Sequence, residues 1–338
     1  MTELSPKSQA QSGVAPRVSI GLPVFNGQRY LALAIASILE QDFRDLELII
    51  CDNASTDDTA VICADFARSD PRVRIIRNPR NLGAARNYDL CFEHARGQYF
   101  KWAAHDDCLA PGYLTKAVAA LDKSPEAVLC TVGVAEIDAA GAVLRCYANT
   151  FPGIGEASPA RRFGAVIHTR HQCEDFFGLF RRAALIGSEL HGAYNGSDRV
   201  LLAEMALRGP WVCLPDPLFL HREHEDRYTR AVLLKDRRQA ALWQDPGKAL
   251  GVTSELFHTV VYWRYLRLIR KSVPSVTARA ACYAELLRWW FTDDHFIDLA
   301  RDSLRRHPAL QARLRAIKGR LVRSKDAPPP PGSLPGFR

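Results

Sequence analysis

From Val18 onward, short apolar runs alternate with amphipathic segments, and this alternation constrains the fold more than any other feature of the chain. Parallel strands need crossover helices and are buried on both faces, so apolar runs separated by helix-like segments predict a parallel sheet covered by helices. The first strands are predicted over VSIGLPVF, LELIICDN and VRIIRN, with helices over RYLALAIASILEQ and DTAVICADFAR between them. Further strands are predicted over QYFKWAA, AVLCTVGVAEID and WVCLPDPLFL.

The rest of the chain divides by composition. Residues 146–160 are rich in glycine, proline and small polar residues, which predicts a long mobile loop that could cover a site. Helices are predicted near 159–177 and 197–208, and the end of the chain, DAPPPPGSLPGFR, cannot continue a helix. We expect an α/β domain over 17–229 with halves 17–107 and 108–229, a helical appendage over 230–325, and disorder at 1–16 and 326–338.

Composition and charge limit the class of protein. With 47% hydrophobic and 24% charged residues, the chain is a globular protein and not a disordered one. The net charge of +8 comes from residues 230–325, which hold 20 basic and 8 acidic residues, whereas residues 1–229 hold 24 and 28. The nine scattered cysteines favour a reducing compartment over a disulfide framework. Without a signal-like or membrane-spanning apolar run, a cytoplasmic location is expected.

Polar residues follow four of the predicted strands at their carboxyl ends, where open α/β sheets bind ligands. We expect these ends to surround one pocket. No glycine-rich phosphate fingerprint follows the first strand, which disfavours a dinucleotide enzyme, a P-loop ATPase and a sugar nucleotidylyltransferase. The four polar segments are PVFNG, CDNASTD, NPRNLGAARN and HDD.

Asp106 and Asp107 follow a hydrophobic strand, and carboxylate oxygens suit Mg²⁺ or Mn²⁺, which commonly bridge to substrate phosphates. Taken alone the pair is weak, because adjacent acids are common helix N-caps and Pro111 follows closely. The pair therefore indicates a metal site only in combination with the segments around it.

Together, these segments resemble the family 2 glycosyltransferases, inverting enzymes of the GT-A fold. LELIICDNASTDDT is similar to that family's DDGSxDxT element, NPRNLGAARN to its NxGxxxARN stretch, and GQYFKWAAHDD to its GxYxxxLDxDD metal strand. The resemblance covers about residues 17–230. It implies a nucleotide-diphospho-sugar transferase fold with a Rossmann-like, mostly parallel sheet, here followed by a helical C-terminal appendage.

The resemblance also implies roles for the nucleotide-binding residues. Asp52 would accept a hydrogen bond from a base such as uracil, with Asn53 beside it, and Arg86 would lie near the phosphates. The alternatives are a helix N-cap for Asp52 and a solvated helix-face arginine for Arg86. The nucleobase would be lined by Pro23, Val24, Phe25 and Asn26.

The metal strand departs from the family at one position. Where the family commonly has Asp-x-Asp-Asp, this chain has Ala104-His105-Asp106-Asp107, so the first acid is missing. The resemblance implies Asp107 on the metal and Asp106 on the ribose or the metal, with their order left open. The missing acid also leaves open a weaker dependence on metal.

The acceptor half resembles the family more loosely. Asp198 follows Gly196-Ser197 and precedes an apolar periodic helix, where the family has its catalytic base, and Glu204 is the reserve candidate. The alternative for Asp198 is a first-turn acid that interacts favourably with the helix dipole.

LFLHREHEDRYTR resembles an Arg-x-His segment of one branch of the family. It implies that His224 or His221 could complete the metal shell and that Arg222 could contact the diphosphate. The alternative is a charged loop that begins the basic region. Lys101 and His105, which flank the metal strand, are further candidates for diphosphate or acceptor contacts.

In the C-terminal segments WRYLRLIRK and YAELLRWWF, aromatic residues and leucines interleave with arginines. Such helices could lie on an anionic membrane surface, making a peripheral contact. They could equally pack against the catalytic domain or form a homodimer, their arginine stems covering apolar surface. No recognition motif for nucleic acid supports that partner.

The expected activity is inverting transfer of a sugar, favoured as UDP- or dTDP-linked, to a hydroxyl of a glycan, lipid-linked or small-molecule acceptor. The alternative is a catalytically silent protein of the same fold that binds a nucleotide sugar or a partner, as the alanine at position 104 suggests.

Overall fold

The computed structural model describes residues 15–227, 243–247 and 257–291. The described strands are β1 Val18–Val24, β2 Leu46–Asp52, β3 Val73–Arg77, β4 Tyr99–Trp102, β5 Cys108–Leu109, β6 Leu129–Ile137, β7 Val143–Tyr147, β8 Leu179–Arg181 and β9 Trp211–Arg222. The main helices are α1 Leu31–Leu39, α2 Thr59–Ser69, α3 Ala84–Glu93, α4 Tyr113–Lys123, α5 Pro159–His168, α6 Arg182–Leu185, α7 Ser197–Arg208, α8 Phe257–Ser272 and α9 Val276–Phe291, with a 3₁₀ turn at Glu174–Phe177.

All nine strands form one mixed sheet in the order β3-β2-β1-β4-β8-β6-β9-β5, with β7 paired to β6. Strands β1 to β4 are parallel to one another, as the sequence predicts. The short β8 is antiparallel to both β4 and β6 and joins the two halves of the sheet. The α/β fold is confirmed. The antiparallel strands β5 and β8 are the parts that the apolar pattern did not predict, because they have only two and three residues.

Residues 146–160 are anchored instead of forming a mobile cover. Phe151 and Ile154 are only 4% and 8% exposed, and the Trp211 backbone N–H donates to the Ile154 carbonyl at 3.3 Å. Buried apolar side chains hold a loop in place because releasing them would return their surface to water. The expectation of a mobile loop is therefore wrong for this segment, and its first two residues lie at the end of β7.

The C-terminal helices α8 and α9 belong to the hydrophobic core. Their buried side chains pack with α5 and α7 in one cluster that includes Tyr265, Leu268 and Trp289. Gly196, with φ of +86°, lets Phe257 approach the start of α7, since a Cβ there would lie 2.5 Å from the Phe257 ring. The sequence predicts helices in this region, and residues 257–291 form two of them. These two helices pack against the catalytic domain, which was one of the alternatives for the segment. The termini 1–14 and 292–338 lie outside the described residues.

Among the helices of the described ranges, none is both long and apolar enough to cross a membrane.

We predict that Leu268→Ala lowers the free energy of unfolding by about 2–5 kcal/mol, because it leaves a cavity in a fully buried position of α8. The matched control is Trp263→Ala on the same helix, where the side chain is 63% exposed and the expected change is about 0.5 kcal/mol or less. Urea unfolding followed by tryptophan fluorescence and circular dichroism measures both. Equal, small effects of the two changes would contradict the assignment of α8 to the core.

Candidate functional site

The loops after β1 and β2 are hydrogen-bonded to each other. The Asn26 backbone N–H donates to Ser55 Oγ at 2.9 Å, and Asn26 Oδ1 accepts from the Thr56 backbone N–H at 2.9 Å. Asn26 has φ of +52°, a conformation that asparagine tolerates better than most residues. Its side chain thus supports the loop pair, while Phe25 beside it is exposed and Pro23 and Val24 are buried in β1.

Asp52 ends β2 with a carboxylate that is only half satisfied. Its Oδ1 accepts from the Ser55 backbone N–H at 2.9 Å. Its Oδ2 is buried without a hydrogen-bond partner, and the nearest cation is Arg77 Nε at 3.5 Å. Because an unsatisfied buried oxygen is costly, this atom is the best placed acceptor for a ligand N–H at the strand end.

Asn53 has a different role from that of Asp52. Its Oδ1 accepts from Asn78 Nδ2 at 3.0 Å and from the Leu82 backbone N–H at 2.9 Å, and its Nδ2 donates to Asn81 Oδ1 at 2.8 Å. Asn87 extends the network by donating to the Cys51 carbonyl at 2.8 Å. These amides join the ends of β2 and β3 to α3, so the Asn53 side chain is engaged in structure and not directed at a ligand.

The acidic turn between β4 and β5 is held by the end of β9. Asp107 Oδ1 accepts from the Arg222 backbone N–H at 2.8 Å, and Asp106 Oδ2 lies 3.0 Å from His224 Nε2. The β5–β9 pairing produces this arrangement, since it sets Cys108 opposite Leu220 in antiparallel register. The structure therefore brings the HREH segment and the Asp106-Asp107 pair together, as the resemblance implied.

Histidines accompany both acids. His221 Nδ1 lies 3.2 Å from Asp107 Oδ1, and although burial lowers the pKa of His221, the Asp107 carboxylate outweighs it and raises that pKa overall. Burial would raise the pKa of Asp106, but His105, His224 and Arg227 hold it well below its usual value. The His105 ring packs against Gly27, where a Cβ would come within 2.7 Å of it. An imidazole thus lies within 3.2 Å of each acid, and the Asp106 carboxyl is held in its ionised form.

The Arg222 guanidinium is directed into the protein. Its Nε donates to the Asp106 carbonyl at 2.9 Å, and its Nη1 donates to the carbonyls of Asp138 and Ala139 at 3.2 and 3.3 Å. It also lies over the Tyr30 ring at 4.8 Å. The expected diphosphate contact is not what this geometry supports, because the donors of this buried side chain are already used to hold the acidic turn.

Asp198 lies in the first turn of α7, after Gly196 in the left-handed conformation. Its Oδ1 accepts from the Arg199 backbone N–H at 2.8 Å, and the side chain is partly exposed. Burial lowers the pKa of His191 to about 4, and the nearby Asp198 carboxylate offsets only part of this effect. A neutral imidazole thus lies beside the candidate base.

Tyr88 links the two acidic regions, and the sequence reasoning missed it. Burial raises the pKa of its hydroxyl well above the usual value, and the carboxylates of Asp106, Asp107 and Asp198 raise it further. The Tyr88 carbonyl accepts from Trp102 Nε1 at 3.1 Å, on the strand that leads to Asp106 and Asp107. His191, also missed, stacks on the Tyr88 ring with centroids 4.5 Å apart. The only signal was the aromatic residue that directly follows the ARN triplet.

Three further candidate residues from the sequence bind partners within the protein. Glu204 is fully buried, accepts from Arg208 at 2.6 Å and the Glu189 backbone N–H at 3.0 Å, and so acts as a structural anion. Lys101 is fully buried, donates to the Phe177 carbonyl, and burial lowers its pKa to about 7. Arg86 pairs with Glu93 on an exposed helix face. Each of these three side chains thus has a partner within the protein.

A divalent cation fits the acidic turn through two carboxylates. Among the described residues no group of three or more acid, histidine or cysteine side chains forms a ready metal cluster. Asp106 and Asp107 each keep one oxygen outside the hydrogen bonds above, and Mg²⁺ and Mn²⁺ are commonly held by one or two carboxylates plus substrate phosphates. The donor set therefore fits an ion that binds together with a diphosphate.

The comparisons with known proteins agree with this fold. The family model described as "Glycosyl transferase family 2" matches residues 19–185. The structure of TarS residues 1–349 from S. aureus, solved with UDP-GlcNAc, superposes with a TM-score of 0.59 over 82% of this chain and 73% of that one, at 15% identity. That likeness shows the fold alone.

Two sequence relatives are informative. EpsE of Bacillus subtilis, named as a candidate glycosyltransferase, is 39% identical over 109 residues, 32% of this chain and 39% of that protein. The GalNAc(5)-diNAcBac-PP-undecaprenol beta-1,3-glucosyltransferase of Campylobacter jejuni is 26% identical over 187 residues, 55% of this chain and 58% of that protein. The chain thus spans well under two thirds of the length of these relatives.

Fold and cleft together define a nucleotide-sugar transferase domain of the GT-A type. Residues 19–185 form a domain of glycosyltransferase family 2, a family of transferase enzymes.

We predict that Glu204→Gln lowers the free energy of unfolding by about 2 kcal/mol, because a buried anion with charged hydrogen-bond donors is neutralised. The rate of sugar transfer per folded molecule should stay within a factor of about two, as expected for a side chain away from the chemistry. Urea unfolding and an initial-rate assay on folded protein measure the two effects. A loss of turnover without loss of stability would return Glu204 to the list of candidate bases.

Proposed function

We propose that this chain catalyses inverting transfer of a sugar from a nucleoside diphosphate donor to an acceptor hydroxyl. The observation that carries the proposal is the position of Tyr88. Its carbonyl accepts from Trp102 on the strand that leads to Asp106 and Asp107, and its ring stacks on His191, whose Nδ1 lies 3.5 Å from the Oγ of Ser197 beside Asp198. In this proposal, the acids that would serve the leaving diphosphate and the acid that would serve as base border one cleft. An in-line displacement needs this arrangement of the two ends of the reaction.

Asp52 would select the nucleobase. Its buried, unpaired Oδ2 favours a ligand that presents an N–H, as the imide of uracil or thymine does, which supports a UDP- or dTDP-linked sugar. The exposed Phe25 ring at the end of β1 would cover one side of the base. Pro23, Val24 and Asn26 would shape this part of the pocket through the backbone.

Asp106 and Asp107 would hold the divalent ion, Mg²⁺ or Mn²⁺, with the donor diphosphate. When bound, such an ion supplies positive charge that stabilises the leaving diphosphate. His224 would orient the Asp106 carboxylate or join the ligands, since its Nδ1 is buried without a hydrogen-bond partner. His221 has the same relation to Asp107.

Asp198 would act as the general base. Its carboxylate would take the proton of the acceptor hydroxyl while that oxygen forms the bond to the anomeric carbon. The bond from the anomeric carbon to the diphosphate breaks at the same time, and its electron pair leaves with the diphosphate. Attack opposite to the leaving group inverts the anomeric configuration.

A second candidate function is a catalytically silent nucleotide-sugar-binding protein, favoured by Ala104 at the position of the family's first acid. Donor hydrolysis in the presence of Mn²⁺ and absence of acceptor separates the two, because a silent protein would bind the donor without consuming it.

We predict that Asp107→Asn and Asp198→Asn each lower the rate of sugar transfer by about 10²-fold or more, as expected for loss of a charge-stabilising group or a general base. Asp198→Asn should retain UDP binding with Mn²⁺ by thermal shift, whereas Asp107→Asn should weaken it. The matched control is Asp216→Asn, an exposed acid of β9 paired with Lys116. Near-normal turnover of Asp198→Asn would remove this residue as the base.

The acceptor is proposed to be a glycan, a lipid-linked sugar or a small molecule. The outward face of α8 and α9 exposes Trp263 and Leu287, at 63% and 58%, together with Arg267 and Arg270. A lipid-linked acceptor would explain this exposed apolar and basic surface. Exposed aromatic and basic side chains favour the surface of an anionic membrane, reached from the cytoplasmic side. The same face could instead form a homodimer.

We predict that the protein co-sediments with phosphatidylglycerol vesicles at low salt, less so at high salt, and not with phosphatidylcholine vesicles, because basic side chains are attracted to anionic lipid. Arg267→Ala with Arg270→Ala should weaken this binding without changing donor hydrolysis, and Arg68→Ala on α2 is the control for an exposed arginine elsewhere. Absence of binding to the anionic vesicles, with a dimer found by sedimentation equilibrium, would favour the homodimer.

A further inference from the structure

Four rings form a continuous cluster between the acidic turn and the loop that precedes Asp198. Trp102 of β4 stacks on Phe176 with centroids 4.7 Å apart, and Phe176 contacts Tyr88 at 5.8 Å and His191 at 5.6 Å. The indole Nε1 of Trp102 also donates to the Tyr88 carbonyl at 3.1 Å. Tyr88 is therefore fixed, through both its ring and its backbone, to the strand that leads into Asp106 and Asp107.

Exposure increases across this cluster toward the cleft. Trp102 and Phe176 are buried and His191 nearly so, whereas Tyr88 is partly exposed. Of the two polar members at the cleft end, His191 is anchored, since its backbone N–H donates to Asp89 and its Nδ1 lies 3.5 Å from Ser197 Oγ. Tyr88 is thus the partly exposed member of the cluster, and its contacts place it between the strand that leads to Asp106 and Asp107 and the Ser197 that precedes Asp198.

We propose that Tyr88 is a substrate-contacting residue whose hydroxyl donates a hydrogen bond to the sugar that is being transferred, with His191 as the positioning residue that fixes its ring. The inference rests on the proposed function. In an in-line displacement the sugar lies between the leaving diphosphate and the attacking oxygen. A group between the Asp106-Asp107 turn and Asp198 therefore faces the sugar and neither the nucleobase nor the distant part of the acceptor.

This position has a consequence for specificity. A site built to hydrogen-bond a substrate hydroxyl discriminates against a sugar that lacks that hydroxyl or carries it in the other configuration, because a partner is then left unpaired. In the proposed function, the loops after β1 and β2 would contact the nucleotide. Tyr88, which lies on α3, would thus help to select the donor sugar in the proposed reaction.

Tyr88→Phe tests the proposal because it keeps the ring and its stacking on His191 and removes only the hydroxyl. We expect kcat for transfer or for acceptor-independent donor hydrolysis to fall about tenfold or more, the loss typical of one hydrogen bond to the reacting group. UDP binding with Mn²⁺, measured by thermal shift, should be unchanged. Tyr283→Phe on α9, an exposed tyrosine 38% accessible, is the matched control.

The donor in this experiment is the nucleotide sugar that the unaltered protein hydrolyses fastest among UDP-glucose, UDP-galactose, UDP-GlcNAc, UDP-GalNAc and dTDP-glucose. The rates of Tyr88→Phe with the whole panel should lie closer together than those of the unaltered protein. A variant with kcat and sugar preference within about twofold of the unaltered protein would overturn the proposal and leave Tyr88 as a packing residue. If the unaltered protein consumes no donor, the proposed function itself fails, and the two failures are thereby distinguished.

Discussion

The hydrogen bonds from the end of β9 to the Asp106-Asp107 turn are the interaction on which the candidate site depends. The Arg222 backbone N–H binds the Asp107 carboxylate at 2.8 Å, and the Arg222 side chain binds the Asp106 carbonyl at 2.9 Å. Residues more than a hundred positions apart thereby fix each other. Since adjacent carboxylates repel, a turn that carries them needs donors from elsewhere to hold one conformation. Histidines His221 and His224 arrive on the same strand end and approach one acid each.

Asp198 depends on a second set of long-range contacts. Helix α8 covers the start of α7 through Phe257, and Arg264 binds Glu189 at 2.9 Å in the loop that presents His191. Arg264 also lies over the Tyr194 ring at 4.6 Å. The C-terminal helices thus support the wall of the cleft that holds the candidate base. An interpretation of this region as a separate appendage misses that role, because the basic composition of the segment describes its exposed face and not its buried one.

The sequence predicts most of the parallel half and less of the rest, for physical reasons. Continuous apolar runs mark β1, β2 and β4, and polar strand ends mark Asp52 and Asp106 as neighbours, because parallel strands end at one edge. Tyr88 carries no such mark, since an aromatic residue on an amphipathic helix is most often part of the core. Its position at the cleft follows only from the packing of His191 against it.

For Arg222 the sequence predicts a ligand contact that the structure does not support. Its residue type and its place in a resembling segment favour a diphosphate contact, yet the side chain is turned inward by three backbone carbonyls. A carbonyl partner leaves no trace in a sequence, because every residue carries one. Arg222 is therefore best understood as the cation that secures the acidic turn. In the proposed function, the charge that meets the diphosphate would come from other groups, and a divalent ion on Asp106 and Asp107 is the group that the remaining carboxylate oxygens would suit.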